Sequence, residues 1–396
     1  MAARPNYRRT LIACYLGYIT QAISANFAPL LFLTFRGSYG IPLEKLTLIP
    51  SLYFLTQLVV DLASAKFVDR VGYRACVVAA EAVSAAGLAG LAFLPDLLPD
   101  PFAGILISVV VYAVGSGLLE VLVSPIVEAC PFDNKAGVMS LLHSFYCWGC
   151  VGVILGSTLF FALFGIAHWR VLACLWAVVP LANLFNFATC PIERLVEEGE
   201  GMSLGQLLRT PLFWLLALLM MCAGASELSM SQWASAFTES ALGVSKTLGD
   251  LAGPLMFAVL MGLSRVFYGK FSEKVDLMRF MLVSGALCVG CYLLAGLSRA
   301  PALGLAGCAL CGLSVGIMWP GTFSIAARVC RTGGTAMFAL LALAGDLGGS
   351  LGPTVVGVFS GLAGDDLRLG LLAAVVFPAL LIAGLLRLWR RRATKA

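Results

Sequence analysis

Asp61, Glu81, Glu120, Glu227, Arg265 and Asp346 each stand several residues inside a run of apolar side chains. A charge at the centre of a bilayer-spanning helix costs about 2.5–3.5 kcal/mol on insertion scales, so six facing lipid would cost on the order of 15–20 kcal/mol. They must therefore face protein, water or one another. Five acids against one base leave a surplus of carboxylates. Arg265 can neutralise one of them, and the chemistry open to the rest is the binding of a proton or a cation. Glu120, Glu227 and Asp346 are the candidates for that role. His143 is either a proton relay or a hydrogen-bonding residue between helices. Asp61 and Glu81 lie nearer the cytoplasmic ends, Asp61 and Arg265 are read as interhelical charges, and Glu128 as interfacial.

Side chains suited to a polar solute surround these charges. The first span carries Gln21 and Asn26, the second Gln57, and the fifth Tyr146 and Trp148 beside His143. The seventh carries Ser226, Ser231, Gln232 and Trp233, and the tenth Trp319 next to Pro320. Each Trp is equally open to ordinary packing. Glu227 and Ser231, four apart, share a helical face, whereas Trp233 points elsewhere unless the helix breaks. Breaks or bends are expected near Pro125, Pro320 and Pro353, where a lost backbone bond must be met by a neighbour or by cavity water.

The elements that must position these groups are membrane helices. Hydrophobic residues make up 60% of the chain and charged residues 12%, with a mean hydropathy of +0.95. A soluble domain of that balance could not cover its surface with polar groups. About 20 apolar residues cross the hydrocarbon core, and twelve such runs are expected at 10–35, 46–68, 74–95, 101–129, 138–164, 167–190, 211–238, 250–271, 277–298, 301–327, 334–361 and 368–389. The fold class is thus an all-α polytopic membrane protein with twelve transmembrane helices. The brief basic start, Met1–Arg9, lacks a small-residue cleavage site, so the first run is expected to remain a span. With a cytoplasmic N-terminus, nineteen of the 26 Lys and Arg fall on the inside. That asymmetry predicts an even number of crossings, both termini cytoplasmic, in the inner cell membrane. The net charge of +5 is a topology signal and implies no nucleic-acid partner. The polar interval 191–210, with Glu193, Glu197, Glu198 and Glu200, reads as a cytoplasmic linker carrying a short surface helix over Ser203–Arg209. It divides an N-terminal six-helix bundle, 1–190, from a C-terminal one, 211–396.

Thirteen cysteines include three CxxC spacings, Cys147/Cys150, Cys288/Cys291 and Cys308/Cys311. All lie in apolar helical runs, read without a matched pair or a His cluster, so no metal and no cofactor is expected and the thiols are read as packing residues. The GxG at Gly115–Gly117 sits within a span with no strand before it, so it is no nucleotide loop. Small residues there, and at Gly152/Gly156, Gly312/Gly316 and Gly348/Gly352, would let helix backbones approach closely.

Two short stretches repeat. Lys66–Val71 (KFVDRV) returns as Lys270–Val275 (KFSEKV) at an offset of 204, and Gly117 with Pro125 returns as Gly312 with Pro320 at an offset of 195. A duplicated membrane bundle is the simplest cause. The loop Ala65–Arg74 (AKFVDRVGYR) resembles the signature between the second and third spans of the major facilitator superfamily. Ala65 stands in place of the usual first glycine, which Gly269 supplies in the second copy. Within that family the chain is most similar to the fucose permease-like branch of sugar:cation symporters. The stretches that carry this likeness are Gly115–Pro125 (GSGLLEVLVSP), Glu227 followed by Trp233, and Trp319-Pro320 with Gly345–Pro353 (GDLGGSLGP). The chain departs from the branch at Ser124, where Asn usually precedes Pro, and in having no first-span carboxylate.

The resemblance implies two pseudo-symmetric six-helix bundles that rock about a solute site by alternating access. It assigns Glu120 to coupling or substrate binding and Glu227 with Trp233 to the cavity. Asp69, Arg70 and Arg74, with Glu273 and Lys274, would be cytoplasmic latches. The function expected is secondary active transport of a small polar solute such as a sugar, coupled to H+ or Na+, by a monomer in the lipid bilayer. An exporter of cationic or amphipathic compounds is the alternative, and a non-transporting receptor is disfavoured. No nucleophile–base constellation points to an enzyme, and no phosphate-binding loop points to ATP.

Overall fold

The structure, a computed structural model, describes residues 6–41, 43–46, 48–195, 201–240, 251–364 and 366–393. Glu197, Glu198 and Glu200 of the linker, and Arg4, Lys246 and Lys395 of the charge pattern, lie outside the described residues. In hydrocarbon every backbone group must be satisfied within its own segment, so long apolar runs become helices. In chain order these are α1 Tyr7–Leu30, α2 Phe32–Tyr39, α3 Leu43–Leu46, α4 Leu48–Val71, α5 Tyr73–Leu97 and α6 Pro101–Ala129. Next come α7 Lys135–Phe164, α8 Trp169–Thr189, α9 Leu204–Leu208, α10 Pro211–Ser240, α11 Met256–Phe271 and α12 Leu277–Leu297. The chain closes with α13 Pro301–Val315, α14 Met318–Val329, α15 Gly334–Leu362, α16 Leu367–Ala373 and α17 Val376–Ala393.

Among the described residues eleven segments are long and apolar enough to cross a membrane: α1, α4 to α8, α10, α12, α13 with α14, α15, and α16 with α17. The expected run at 250–271 is present as a five-residue π-helical turn, Leu251–Leu255, followed by the 16 residues of α11. The expected surface helix in the linker is α9.

The described residues group into two compact units. The first draws on 1–131, 145–204 and 334–339, the second on 132–144, 205–333 and 340–396. Residues 132–144, which include the start of α7, group with the second unit.

Helix starts follow from local chemistry. Asp100 accepts from the Phe102 N–H at 3.0 Å with Pro101 at the first helical position of α6, and Asp276 accepts from the Arg279 N–H at 2.9 Å to open α12. Both satisfy donors that a helix N-terminus leaves open. Between α4 and α5 a single residue turns the chain: Gly72, at φ +93°, a value that side-chain-bearing residues adopt only with strain.

Within each unit glycines set how closely helices pack. A Cβ on Gly115 would lie 2.1 Å from Ser84 Oγ, one on Gly312 2.1 Å from Phe257 O, and one on Gly348 1.9 Å from Met221 O. Gly152 and Gly156 do not act this way. Gly152 faces open space, and Gly156 meets only the Trp176 ring at 3.4 Å, because that face of α7 is turned outward beside exposed Leu155 and Leu159. Of the three prolines expected near breaks or bends, Pro320 lies by a break, with α13 ending at Val315 and α14 starting at Met318. Pro125 and Pro353 sit inside continuous α6 and α15, since one missing backbone bond in a long packed helix does not part it.

Candidate functional site

In the first unit three rungs of polar contacts run along one face of α6, from Ser116, Glu120 and Ser124 at intervals of four residues. The Tyr53 hydroxyl on α4 pairs with Ser116 Oγ at 2.6 Å, and the Tyr18 hydroxyl on α1 pairs with Ser124 Oγ at 3.1 Å. Between them, Glu120 Oε2 accepts from Gln21 Nε2 on α1 and from Gln57 Nε2 on α4, both at 2.7 Å. Tyr53 and Gln57 are one turn apart on α4, as are Tyr18 and Gln21 on α1, so each helix presents two consecutive rungs.

Small residues let both helices come close enough. A Cβ on Gly117, one turn before Glu120, would sit 3.1 Å from Val60 Cβ and 3.4 Å from Gln57 Cα. One on Gly17, one turn before Gln21, would sit 3.3 Å from Val123 Cγ2. The Glu120 residue is only 8% exposed, and N–H···O bonds this short are the strong, charge-assisted kind. Amides, hydroxyls and a carboxylate on one face are the groups that exchange hydrogen bonds with a polyhydroxylated molecule.

In the second unit the Arg265 guanidinium, on α11, donates to backbone and carboxylate oxygens. Its Nε donates to Gly316 O at 2.9 Å, one terminal nitrogen to His143 O at 2.9 Å, and the other to Glu227 Oε2 at 3.3 Å. The first contact follows from the sequence of α14. Pro320 has no N–H to give to the carbonyl four residues back, Gly316 O, and the guanidinium takes that acceptor. Ser140 Oγ donates to Arg265 O at 2.8 Å, tying α7 to α11. Arg265 and Glu227 therefore form a buried ion pair, with side chains 4% and 15% exposed, and this pairing is how one of the surplus acids is neutralised. The His143 ring lies 5.8 Å from the Phe323 ring.

The remaining candidates are dispersed. Asn26 donates to Ala22 O at 2.9 Å and to Cys150 Sγ at 3.2 Å. Tyr146 and Trp148 are half-buried, Gln232 is exposed, and Asp346 is half-buried. Trp233 Nε1 donates to Pro353 O at 3.0 Å. Trp319 occupies the space that a Gly345 side chain would fill, a built Cβ falling 2.2 Å from its ring, so it packs against the glycine face of α15. Asp61 is wholly buried on α4.

In the loop repeats, one Arg74 terminal nitrogen donates to Phe187 O at 2.9 Å and Ala188 O at 2.8 Å. It thereby satisfies carbonyls at the end of α8. Asp69, Arg70, Glu273 and Lys274 are exposed. At the second repeat Asn134 and Ser272 exchange bonds of 2.6 and 2.9 Å where Gly137 and Gly269 bring α7 and α11 together. A cleft of about 550 Å³ near the first repeat is lined by Gly72, Arg74, Ile192 and Arg194 among others, and Glu120 is not part of it.

At the other end of the first unit Arg170 meets Asp96 at 2.7 Å and the Tyr39 hydroxyl at 3.0 Å, while Tyr39 donates to Asp96 at 2.8 Å. Burial raises the Tyr39 phenol above its ordinary value and the bond to Asp96 adds to this, against the pull of Arg170. The phenol thus stays protonated and remains the donor.

The thirteen cysteines are present as thiols. Two CxxC stretches do come together on α12 and α13, with Cys288 and Cys311 sulfurs 4.0 Å apart, although the sequence was read without a matched pair. Among the described residues no group of three or more His, Cys, Asp or Glu could hold a metal ion.

Long apolar helices in two compact units, with charged side chains buried among them, define a polytopic membrane protein. The family model of the Major Facilitator Superfamily matches residues 14–353, and the chain belongs to that family. Among solved structures it is similar to the transporter FucP in the outward conformation, at 15% identity and a TM-score of 0.81 over 95% of this chain and 97% of that one. It is also similar to the proton:xylose symporter XylE, at 11% identity and a TM-score of 0.82 over 97% and 95%. A third likeness is to the human organic anion transporter MFSD10, at 17% identity and a TM-score of 0.72 over 96% and 100%. Identities this low establish the fold alone. No curated protein matches the chain by sequence.

Proposed function

We propose that the protein is a secondary active transporter for a small, neutral, polyhydroxylated solute of the sugar class, driven by a proton gradient. The observation that carries this reading is the Glu120 carboxylate receiving two side-chain amides from two separate helices, with Tyr–Ser hydroxyl pairs one turn above and below it. Neutral donors and acceptors in a row suit hydroxyl groups better than a lipophilic cation, for which an aromatic cage would be the expected lining. Solved neighbours described as a fucose:proton and a proton:xylose symporter have the same fold, which supports the assignment of solute class. The halves 1–190 and 211–396, joined by 191–210, would alternate access to the two sides. The loops with Asp69, Arg70 and Arg74 and with Glu273 and Lys274 would serve as latches. When solute binds and Glu120 takes a proton, the cost of carrying a bare carboxylate through a closed state disappears.

The test is a thermal-unfolding screen of the purified protein against sugars, amino acids, nucleosides and lipophilic cations. A sugar or polyol should raise the midpoint in the wild type and fail to do so in Gln57→Ala. Stabilisation by lipophilic cations and by no polyol would contradict the proposal and favour an exporter.

A further inference from the structure

The first unit contains a second buried carboxylate that the solute site does not use. Glu81, on α5, is 0% exposed. Its Oε1 accepts from Asn183 Nδ2 at 2.6 Å, and its Oε2 lies 3.1 Å from Thr20 Oγ1.

The amide of Asn183 has its orientation fixed. The same Nδ2 donates to Ala13 O at 2.9 Å, and Asn183 Oδ1 accepts from Asn186 Nδ2 at 3.3 Å. Oε1 thus always faces a donor. Oε2 faces a hydroxyl, which can donate or accept. With Glu81 ionised, Thr20 donates to Oε2; with Glu81 protonated, Oε2–H donates to Thr20. Both states are satisfied by turning one hydroxyl, and no heavy atom has to move.

Among the described residues no charged side chain bonds to the ionised form. Of the helices packed against α5, α8 contributes the neutral Asn183 and Asn186, and α1 contributes Thr20 and one titratable neighbour, the Cys14 thiol. Among the described residues the titratable Asp61 on α4 and Glu120 on α6 make no hydrogen bond to Glu81, whose partners are Asn183 and Thr20. A buried ion without a counter-charge costs several kcal/mol. A glutamine would make both bonds at no such cost, donating to Thr20 and accepting from Asn183. What a carboxyl adds at this position is a proton that can leave.

We propose that Glu81 is a proton-binding site separate from Glu120, and that α1 links the two, because Thr20 touches Glu81 and the next residue, Gln21, holds Glu120. This deepens the transport reading given above and rests on it for its purpose, though not for its test. When α1 moves to admit solute at Gln21, Thr20 moves with it and Oε2 meets water. The Oε2–H bond then breaks, its electron pair stays on the carboxylate, and the proton passes to that water.

Infrared difference spectroscopy of the protein in lipid vesicles during a pH titration reads the C=O stretch of protonated carboxyls without any solute. The wild type should show a buried-carboxyl band that weakens as pH rises. Glu81→Gln should lose the band, Glu120→Gln should keep it, and Asn183→Leu should shift it, since the donor to Oε1 is gone. If Glu81→Gln does not fold, the Asn183→Leu shift decides the matter. A band unchanged in both Glu81→Gln and Asn183→Leu, a band removed by Glu120→Gln alone, or one at full intensity at every pH would overturn the proposal. A failed solute screen would contradict the solute reading and leave this band where it is.

Discussion

Gln21 and Gln57 reach the same oxygen of Glu120 from different helices, so each amide can be removed singly without exposing the carboxylate to lipid. A hydrogen bond to a charged group contributes about 1.5–3 kcal/mol. Gln57→Ala should accordingly weaken affinity for the stabilising solute by roughly tenfold or more, measured by titration calorimetry. Unaltered affinity would place the solute elsewhere. The Arg265 cluster makes a different prediction. Arg265→Met leaves Glu227 buried without its cation and should cost about 3–5 kcal/mol, seen as a lowered unfolding midpoint in detergent. Pro320→Ala restores an N–H able to reach Gly316 O, so the double variant should lose less than the sum of the two single changes, by on the order of 0.5–3 kcal/mol. Strict additivity would show that the guanidinium is not standing in for the missing backbone donor. The sequence marked Glu120, Gln21, Gln57, Arg265, Glu227 and Pro320 as special, because charges, amides and proline are conspicuous in apolar runs. The rungs were not read from it, because the recurrence of Ser116, Glu120 and Ser124 every four residues carries meaning only once Tyr53 and Tyr18 are seen to face it. The separation of Glu81 from Glu120 was not readable at all, because it depends on Thr20, Asn183 and Asn186, which look ordinary in sequence.

At the level of helices, glycine decides which faces meet. Gly115→Val forces atoms against Ser84 Oγ and the Ala80 carbonyl, 2.1 and 2.3 Å from the first carbon added. Backbone cannot yield cheaply there, and overpacking of this kind costs typically 1–3 kcal/mol. Gly152→Ala meets nothing within 4 Å and should leave the unfolding midpoint unchanged. If the two variants behave alike, the packing of α5 on α6 does not set stability. Glycine spacing alone treated these positions as equivalent, because a four-residue repeat shows that a face is smooth and not whether another helix lies on it. Proline positions were ambiguous for a related reason. Pro125, Pro320 and Pro353 read alike, yet only at Pro320 does the helix part, where Arg265 is placed to take the vacated carbonyl.

For the molecule as a whole, hydropathy revealed the spans and the loop repeat revealed the family, which the match over residues 14–353 establishes. The positive-inside asymmetry further predicts that epitope tags at both termini are reached by antibody only when the cytoplasmic face is open. Labelling of either terminus in sealed, right-side-out cells would contradict that orientation. The central claim is that Glu120 converts a proton gradient into solute accumulation. It is tested most directly in proteoliposomes loaded against an imposed pH gradient with the sugar the thermal screen identifies. Glu120→Gln should abolish uphill uptake while solute counterflow at equal pH remains measurable; uphill uptake at the wild-type level in that variant would contradict the claim.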